Sequence, residues 1–158
     1  MGELQIGEVI RPSCVNLHMK AASKEEVIRE MTAMLHDAGM ISSQEDFIRD
    51  VYLREAEGAT GLGDGVAIPH GKSDAVIHTS VAIGRCDRDI EWETIGEGPS
   101  RLFIMFAVNN QDKSKLVSLL AQVAVALCDE TVVERLFQCE EAGEAIALLS
   151  KRKEEERA

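Results

Sequence analysis

Residues 102 to 108, Leu-Phe-Ile-Met-Phe-Ala-Val, are the feature that most constrains this chain. Seven consecutive apolar residues without polar alternation read as a strand buried on both faces. Such a strand needs cover on two sides, and its flanks offer it. Residues 24 to 38 carry Val27, Met31, Met34 and Leu35 at helical spacing. Ser23 stands at the N-cap, Glu26 completes a capping box and Gly39 follows as C-terminal glycine. A second helix starts after Ser43, with Asp46 in capping position and Phe47, Val51 and Tyr52 toward the core, and ends before Gly58. Lys113 to Cys128 repeats helical spacing through Leu116, Leu119, Leu120, Val123 and Leu127. Helices over Thr131 to Cys139 and Ala142 to Lys151 finish the chain.

The middle has the period of strands. Val66-Ala67-Ile68 forms a short one, Thr79 to Cys86 a second with Val81 and Ile83 on one face, and Asp89 to Trp92 a short edge strand. His18 lies on a further edge segment. The expectation is an α/β single domain over 1–158, with a mixed sheet of about five strands and helices on both sides. The core runs over about 5–150, and 151–158 is a charged, frayed helix end. At 158 residues one domain is the default.

Charge and cysteines narrow the function. Seventeen Lys and Arg against 28 Asp and Glu give net charge −11, which speaks against nucleic acid or an anionic membrane as partner. No apolar run approaches bilayer length, and residues 1–6 have neither the basic nor the apolar region of a signal peptide. Cys14, Cys86, Cys128 and Cys139 are widely spaced, so they indicate reduced thiols in a cytoplasmic protein. Cys139, among acidic neighbours, is the one expected at the surface.

The chemistry concentrates between Arg54 and Ser73. Gly61-Leu62-Gly63 precedes a strand rather than a helix, which excludes a dinucleotide fingerprint. Gly71-Lys72-Ser73 is no P-loop, because Val66 stands where its first glycine belongs. What remains is His70 at the end of a short strand between Pro69 and Gly71, a place that displays a ring at a sheet edge. A histidine there is either an ordinary surface or capping residue, or a nucleophile with one ring nitrogen unprotonated near neutral pH. Asp64 reads as a turn residue. His18, His36 (near a helix C-terminus, which suits its charge) and His78 read as structural.

The segment resembles the histidine signature of enzyme IIA of the bacterial sugar phosphotransferase system, fructose/mannitol type. Glu55, Leu62, Gly63, Val66, Ala67, Ile68, Pro69, His70 and Gly71 fill all nine specified positions in seventeen residues. Lys24 to Leu35, Phe47 to Glu55, Val81 to Arg85, Ile90-Glu91-Trp92 and Leu102 to Val108 extend the resemblance over about 5–150. It implies that His70 accepts a phosphoryl group from the phosphohistidine of the carrier HPr. His70 then passes it to enzyme IIB, which works with the membrane enzyme IIC; no metal or other cofactor is implied. Arg54 matches the family's arginine, whose fork suits phosphate oxygens. Thr60, Ser73 and the glycines from Gly61 to Gly65, Gly63 among them, are candidate phosphate contacts. The chain departs from many members after the long apolar strand. Where a second active-site histidine is usual it has Leu116, or Lys115 if the alignment slips by one, after Asn109-Asn110-Gln111-Asp112. A regulatory module on the same fold, controlling another protein through its phosphorylation state, is the alternative function.

Overall fold

A computed structural model describes residues 4–150. Two short 3-10 turns lead into β1 (Val15–Asn16), followed by α1 (Lys24–Asp37) and α2 (Gln44–Glu55). Five strands come next: β2 (Gly61–Gly63), β3 (Val66–Ala67), β4 (His70–Lys72), β5 (Ser80–Ile90) and β6 (Ser100–Val108). The chain closes with α3 (Lys113–Leu127), α4 (Glu130–Gln138) and α5 (Ala142–Ser150).

Strand β6 is the spine. It pairs antiparallel with β5 on one side and parallel with β3 and then β4 on the other, within the order β1-β5-β6-β3-β2. Its side chains divide by the period of two. Phe103, Met105 and Ala107 pack with α1 and α2 residues such as Met31, Leu35, Phe47 and Val51. Leu102, Ile104, Phe106 and Val108 pack with Leu116, Leu119 and Val123 of α3 and with residues of α4 and α5. An uninterrupted apolar run is therefore required, since neither face meets water.

The mixed sheet has six strands rather than about five. The short β1, β2 and β4 were not distinguished in the sequence because two or three residues carry no period of their own. The separate strand expected over Asp89 to Trp92 does not exist: residues 89 and 90 are the end of β5. Arg85 pairs with Leu102 and Ile90 with Ser100, so five steps along β5 face two along β6. The excess lifts Asp87, Arg88 and Asp89 into solvent as a bulge.

Both early helices are capped as their sequences demand. The Ser23 and Ser43 hydroxyls accept from the N–H groups of Glu26 and Asp46. The Glu26 carboxylate reaches back to the N–H of Ala22, one residue before the capping-box partner. Tyr52 does not face the core but is 38% exposed. Cys139 is buried under α4, and Cys128, at the C-terminus of α3, is the exposed cysteine. Cys139 belongs to the same apolar cluster as Leu136 and Ala145, which outweighs the acidic residues next to it in sequence. The expected charged end over 151–158 lies outside the described residues. No single helix among the described residues is long and apolar enough to cross a membrane.

Phe103 tests the two-faced spine: it is fully buried, with its ring 5.0 Å from that of Trp92. Phe103→Ala should cost about 3–5 kcal/mol in urea unfolding, whereas Leu53→Ala, on the surface of α2, should stay within about 0.5 kcal/mol. A Phe103→Ala loss below about 1 kcal/mol would contradict this packing.

Candidate functional site

Strands β3 and β4 are one interrupted strand beside β6. Pro69 breaks it, having no N–H to donate, while its carbonyl still accepts from Phe106 N–H at 3.1 Å. The chain rejoins β6 at His70, which pairs with Phe106. The sequence expectation of a ring displayed at a sheet edge needs correction. His70 is only 6% exposed, and its ring meets the Phe106 ring edge-on, centroids 6.3 Å apart. Gly71 lets this happen, because a Cβ there would stand 3.0 Å from Val51 and 3.1 Å from Phe47 of α2.

The Nδ1 of His70 lies 3.1 Å from the Ile68 carbonyl. A carbonyl only accepts, so Nδ1 carries the proton and Nε2 keeps its lone pair. Burial lowers the His70 pKa below 6.5 most strongly; the Ile68 hydrogen bond opposes this, Arg54 lowers it further, Glu55 raises it and Lys72 lowers it. The net direction is down, which keeps the ring neutral at neutral pH. Lys72 is a residue that sequence reasoning missed. It sits two residues beyond His70 on the same strand, hence on the same face, and that spacing was the available signal.

Arg54 ends α2. One guanidinium N–H donates to the Gly58 carbonyl at 3.0 Å, and Arg54 makes no ion pair among the described residues. Next to it Glu55 is almost entirely buried and binds at both oxygens. Lys24 Nζ lies 2.6 Å from one, and the Thr60 hydroxyl donates to the other at 2.6 Å. Trp92 Nε1–H donates to the same Thr60 oxygen at 2.8 Å. Thus Thr60 has its proton on Glu55 and an indole on its oxygen. The expectation of a phosphate-binding hydroxyl is corrected to a buried bridge.

Lys24 also pairs with Glu93 and lies 4.9 Å from the Trp92 ring centre. Burial alone would lower its pKa, but the bonds to Glu55 and Glu93 outweigh burial and raise it. The network pins the hairpin that precedes His70: Ile68 N–H donates to the Thr60 carbonyl and Gly61 N–H to the Glu93 carbonyl. Sequence reasoning missed Lys24, Trp92 and Glu93 here, because the helix start at Lys24 and the pair Trp92-Glu93 lie far apart in the chain.

Asp64 and Gly65 turn the hairpin with φ of 56° and 83°, as expected for an Asp-Gly two-residue loop. Gly63, with φ of 95°, leaves open space where a Cβ would be. Ser73 is buried, and its hydroxyl accepts from Ala75 N–H. Leu116 is buried in the α3 core, while Lys115 pairs with Asp112 at 3.5 Å. His18 pairs with Glu140 at 3.0 Å, and His36 lies in the last turn of α1. His78 sits before β5. None of the three shares the His70 strand pair. Among the described residues, no group of three or more His, Cys, Asp or Glu side chains is placed to hold a metal ion.

In nuclear magnetic resonance titrations, His70 should protonate with a midpoint below 6.5, as the Nδ1–H tautomer when neutral. The folded state then binds fewer protons than the unfolded state just below pH 6.5. The His70 contribution therefore costs stability progressively as pH falls from 6.5 to the folded pKa, and costs nothing above 6.5. A midpoint above 6.5, or protonation of neutral His70 at Nε2, would refute this geometry.

Comparison with known proteins gives the family. Residues 8–152 match the family model of the phosphoenolpyruvate-dependent sugar phosphotransferase system, EIIA 2. The fructose-specific EIIABC component of Bacillus subtilis (strain 168) is 26% identical over 147 residues. That match covers 93% of this chain but only 23% of the relative, so the chain spans under a quarter of it. Nitrogen regulatory protein IIA-Ntr from Neisseria meningitidis superimposes with a TM-score of 0.84 at 28% identity, covering 91% of this chain and 98% of that one. Enzyme IIA-mannitol of Escherichia coli, in complex with phosphorylated IIB-mannitol, gives 0.74 at 28% identity, covering 91% and 100%. The match runs through both helical layers and the whole sheet, and the chain belongs to the EIIA type 2 family of the sugar phosphotransferase system.

Proposed function

We propose that this chain is a phosphoryl carrier that takes phosphate from phospho-HPr onto His70 and hands it to an enzyme IIB during sugar uptake. The carrying observation is the imidazole whose Nδ1–H is already bound by a backbone carbonyl. Only Nε2 is then available as nucleophile. Its lone pair attacks phosphorus as the bond from phosphorus to the HPr imidazole breaks, and that imidazole takes back the electron pair. Electron density leaves the His70 ring, so the Nδ1–H bond to Ile68 strengthens in the transition state. In the second step the nucleophile of IIB, a cysteine thiolate in the fructose and mannitol branch, attacks phosphorus and His70 leaves neutral.

Little covalent chemistry falls to the protein, so positioning and charge carry the rate. Arg54 and Lys72 put positive potential at His70, and a planar guanidinium suits the equatorial oxygens. Gly63, on the open side of the hairpin, is the backbone candidate for a further contact, and Ser73 serves the turn after His70. No metal or small cofactor takes part on this reading. The place of work is the cytoplasm, beside a membrane enzyme IIC, with no nucleic acid as partner. The B. subtilis relative is fructose-specific by name, which supports a sugar-uptake role without fixing the sugar.

The similarity to IIA-Ntr supports a second reading, a regulatory module whose phosphorylation state controls binding to another protein. Both readings need phospho-His70, and delivery to IIB separates them.

Incubation with enzyme I, HPr and phosphoenolpyruvate should add one phosphate by intact-mass spectrometry, and His70→Ala should add none. Arg54→Ala should slow the gain about a hundredfold. Onward transfer to a IIB favours the uptake role, whereas a phosphorylated chain that no IIB discharges favours regulation. No phosphate on a folded wild-type chain would overturn both.

A further inference from the structure

A polar cavity of about 610 Å³ opens on the molecule away from His70. The segment over 17–20, the bulge of β5 and the corner between α4 and α5 enclose it. Along β5 it begins at Arg85, four residues past Val81, which pairs with Phe106 beside His70. At about 3.4 Å per residue that is roughly 14 Å away.

Its lining runs against the charge of the chain. Lys20, Arg85, Arg88 and Arg101 face it, with His18, against two carboxylates, Asp87 and Glu140. A protein of net charge −11 has gathered four permanent cations here. Arg85 is the built element. Its side chain is 9% exposed and is fixed by bonds to the Leu136 carbonyl at 2.9 Å and the Glu140 carboxylate at 3.4 Å. Lys20 makes no ion pair among the described residues. Arg88 stands 4.0 Å from Asp87 on the bulge, and Arg101 pairs with Asp89 at 2.6 Å. Glu140 also takes His18, and its side chain is 65% exposed. It thus stands as an internal anion at the mouth, where an incoming one can replace it.

Guanidinium forks arranged around one space match phosphate oxygens better than a single carboxylate. The volume lies in the range of small-molecule sites. Leu17, Met19 and Phe137 add an apolar wall, which a bare ion would not use. We propose that this cavity binds a phosphate monoester carried on a small organic body, at a site separate from His70. The cavity is joined to the catalytic hairpin. The Phe137 ring would meet a Cβ on Gly65 at 2.9 Å, and Arg101 N–H donates to the Gly65 carbonyl at 2.8 Å. A ligand here touches residues that hold the turn leading to His70.

Calorimetric titration at low ionic strength, with inorganic phosphate, glucose 6-phosphate and AMP as probes, tests it. At least one ester should bind at one site with Kd below about 1 mM, at least about tenfold tighter than inorganic phosphate. Which ester binds separates a sugar phosphate from a nucleotide. Arg85→Ala risks unfolding, so the test variant is Arg88→Ala with Arg101→Ala, both partly exposed, which should weaken binding at least about tenfold. Glu140→Gln should tighten it, and His70→Ala should leave it unchanged. The proposal fails if neither ester binds below about 10 mM, or if inorganic phosphate binds as well as both. It fails equally if the double variant has no effect, or if His70→Ala abolishes binding.

Discussion

The Nδ1–H of His70 has its acceptor two residues back along its own chain, at Ile68. A ring as buried as this one would otherwise hold an unsatisfied donor, at a cost of about 1–3 kcal/mol. The same bond decides which nitrogen is left for chemistry. It holds only while the Ile68 carbonyl stays in place, and Ile68 is tied on its other side, through its own N–H, to the Thr60 carbonyl. Thr60 is tied by its hydroxyl to Glu55 and Trp92, and Glu55 to Lys24. A chain of short bonds therefore runs from the first turn of α1 to the imidazole. The acidic position of the histidine signature acquires a physical meaning in this chain: Glu55 anchors the hairpin rather than meeting a ligand.

Charge is partitioned along the same lines. Glu55 is buried yet compensated by Lys24, so its negative potential at His70 is offset while Arg54 and Lys72 stay on the outer side. A phosphoryl group arriving at Nε2 would meet cations presented by α2 and β4, with the carboxylate turned inward to Lys24 and Thr60. Packing supports this sorting. Gly71 allows α2 to rest directly on β4, so the helix that carries Arg54 packs against the strand that carries His70.

Much of the fold was legible in the sequence where one physical signal dominated. Leu102 to Val108 had no alternation, and the structure covers both of its faces. Ser23 and Ser43 announced helix starts that their hydroxyls indeed cap. Signals that depend on distant partners were not legible. Strand β1 exists because Val15 and Asn16 lie beside Ile83 and Gly84, not because two residues favour a strand. Cys139 is buried within the cluster that also holds Leu136 and Ala145, although its neighbours in sequence are acidic. At the candidate site, a dense motif singled out His70, and Arg54 was read beside it from the resemblance. The engagement of the Thr60 hydroxyl was not, since its partners Trp92 and Glu55 come from either side of the hairpin.

The position where many relatives have a second histidine shows how far the motif alone can mislead. Leu116 is spent on the core beneath α3, and Lys115 on its own helix start through Asp112. The charges that bear on His70 come instead from Arg54, Glu55 and Lys72. Two of these lie on α2 and one on β4, which are locked together through Gly71, Val51 and Phe47. Electrostatic stabilisation depends on charges fixed before the reaction begins. A cation held by the same strand, two residues from His70, meets that condition as well as one brought from another helix. With Lys115 and Leu116 at these places on α3, the fixed charges that bear on His70 are those of α2 and β4.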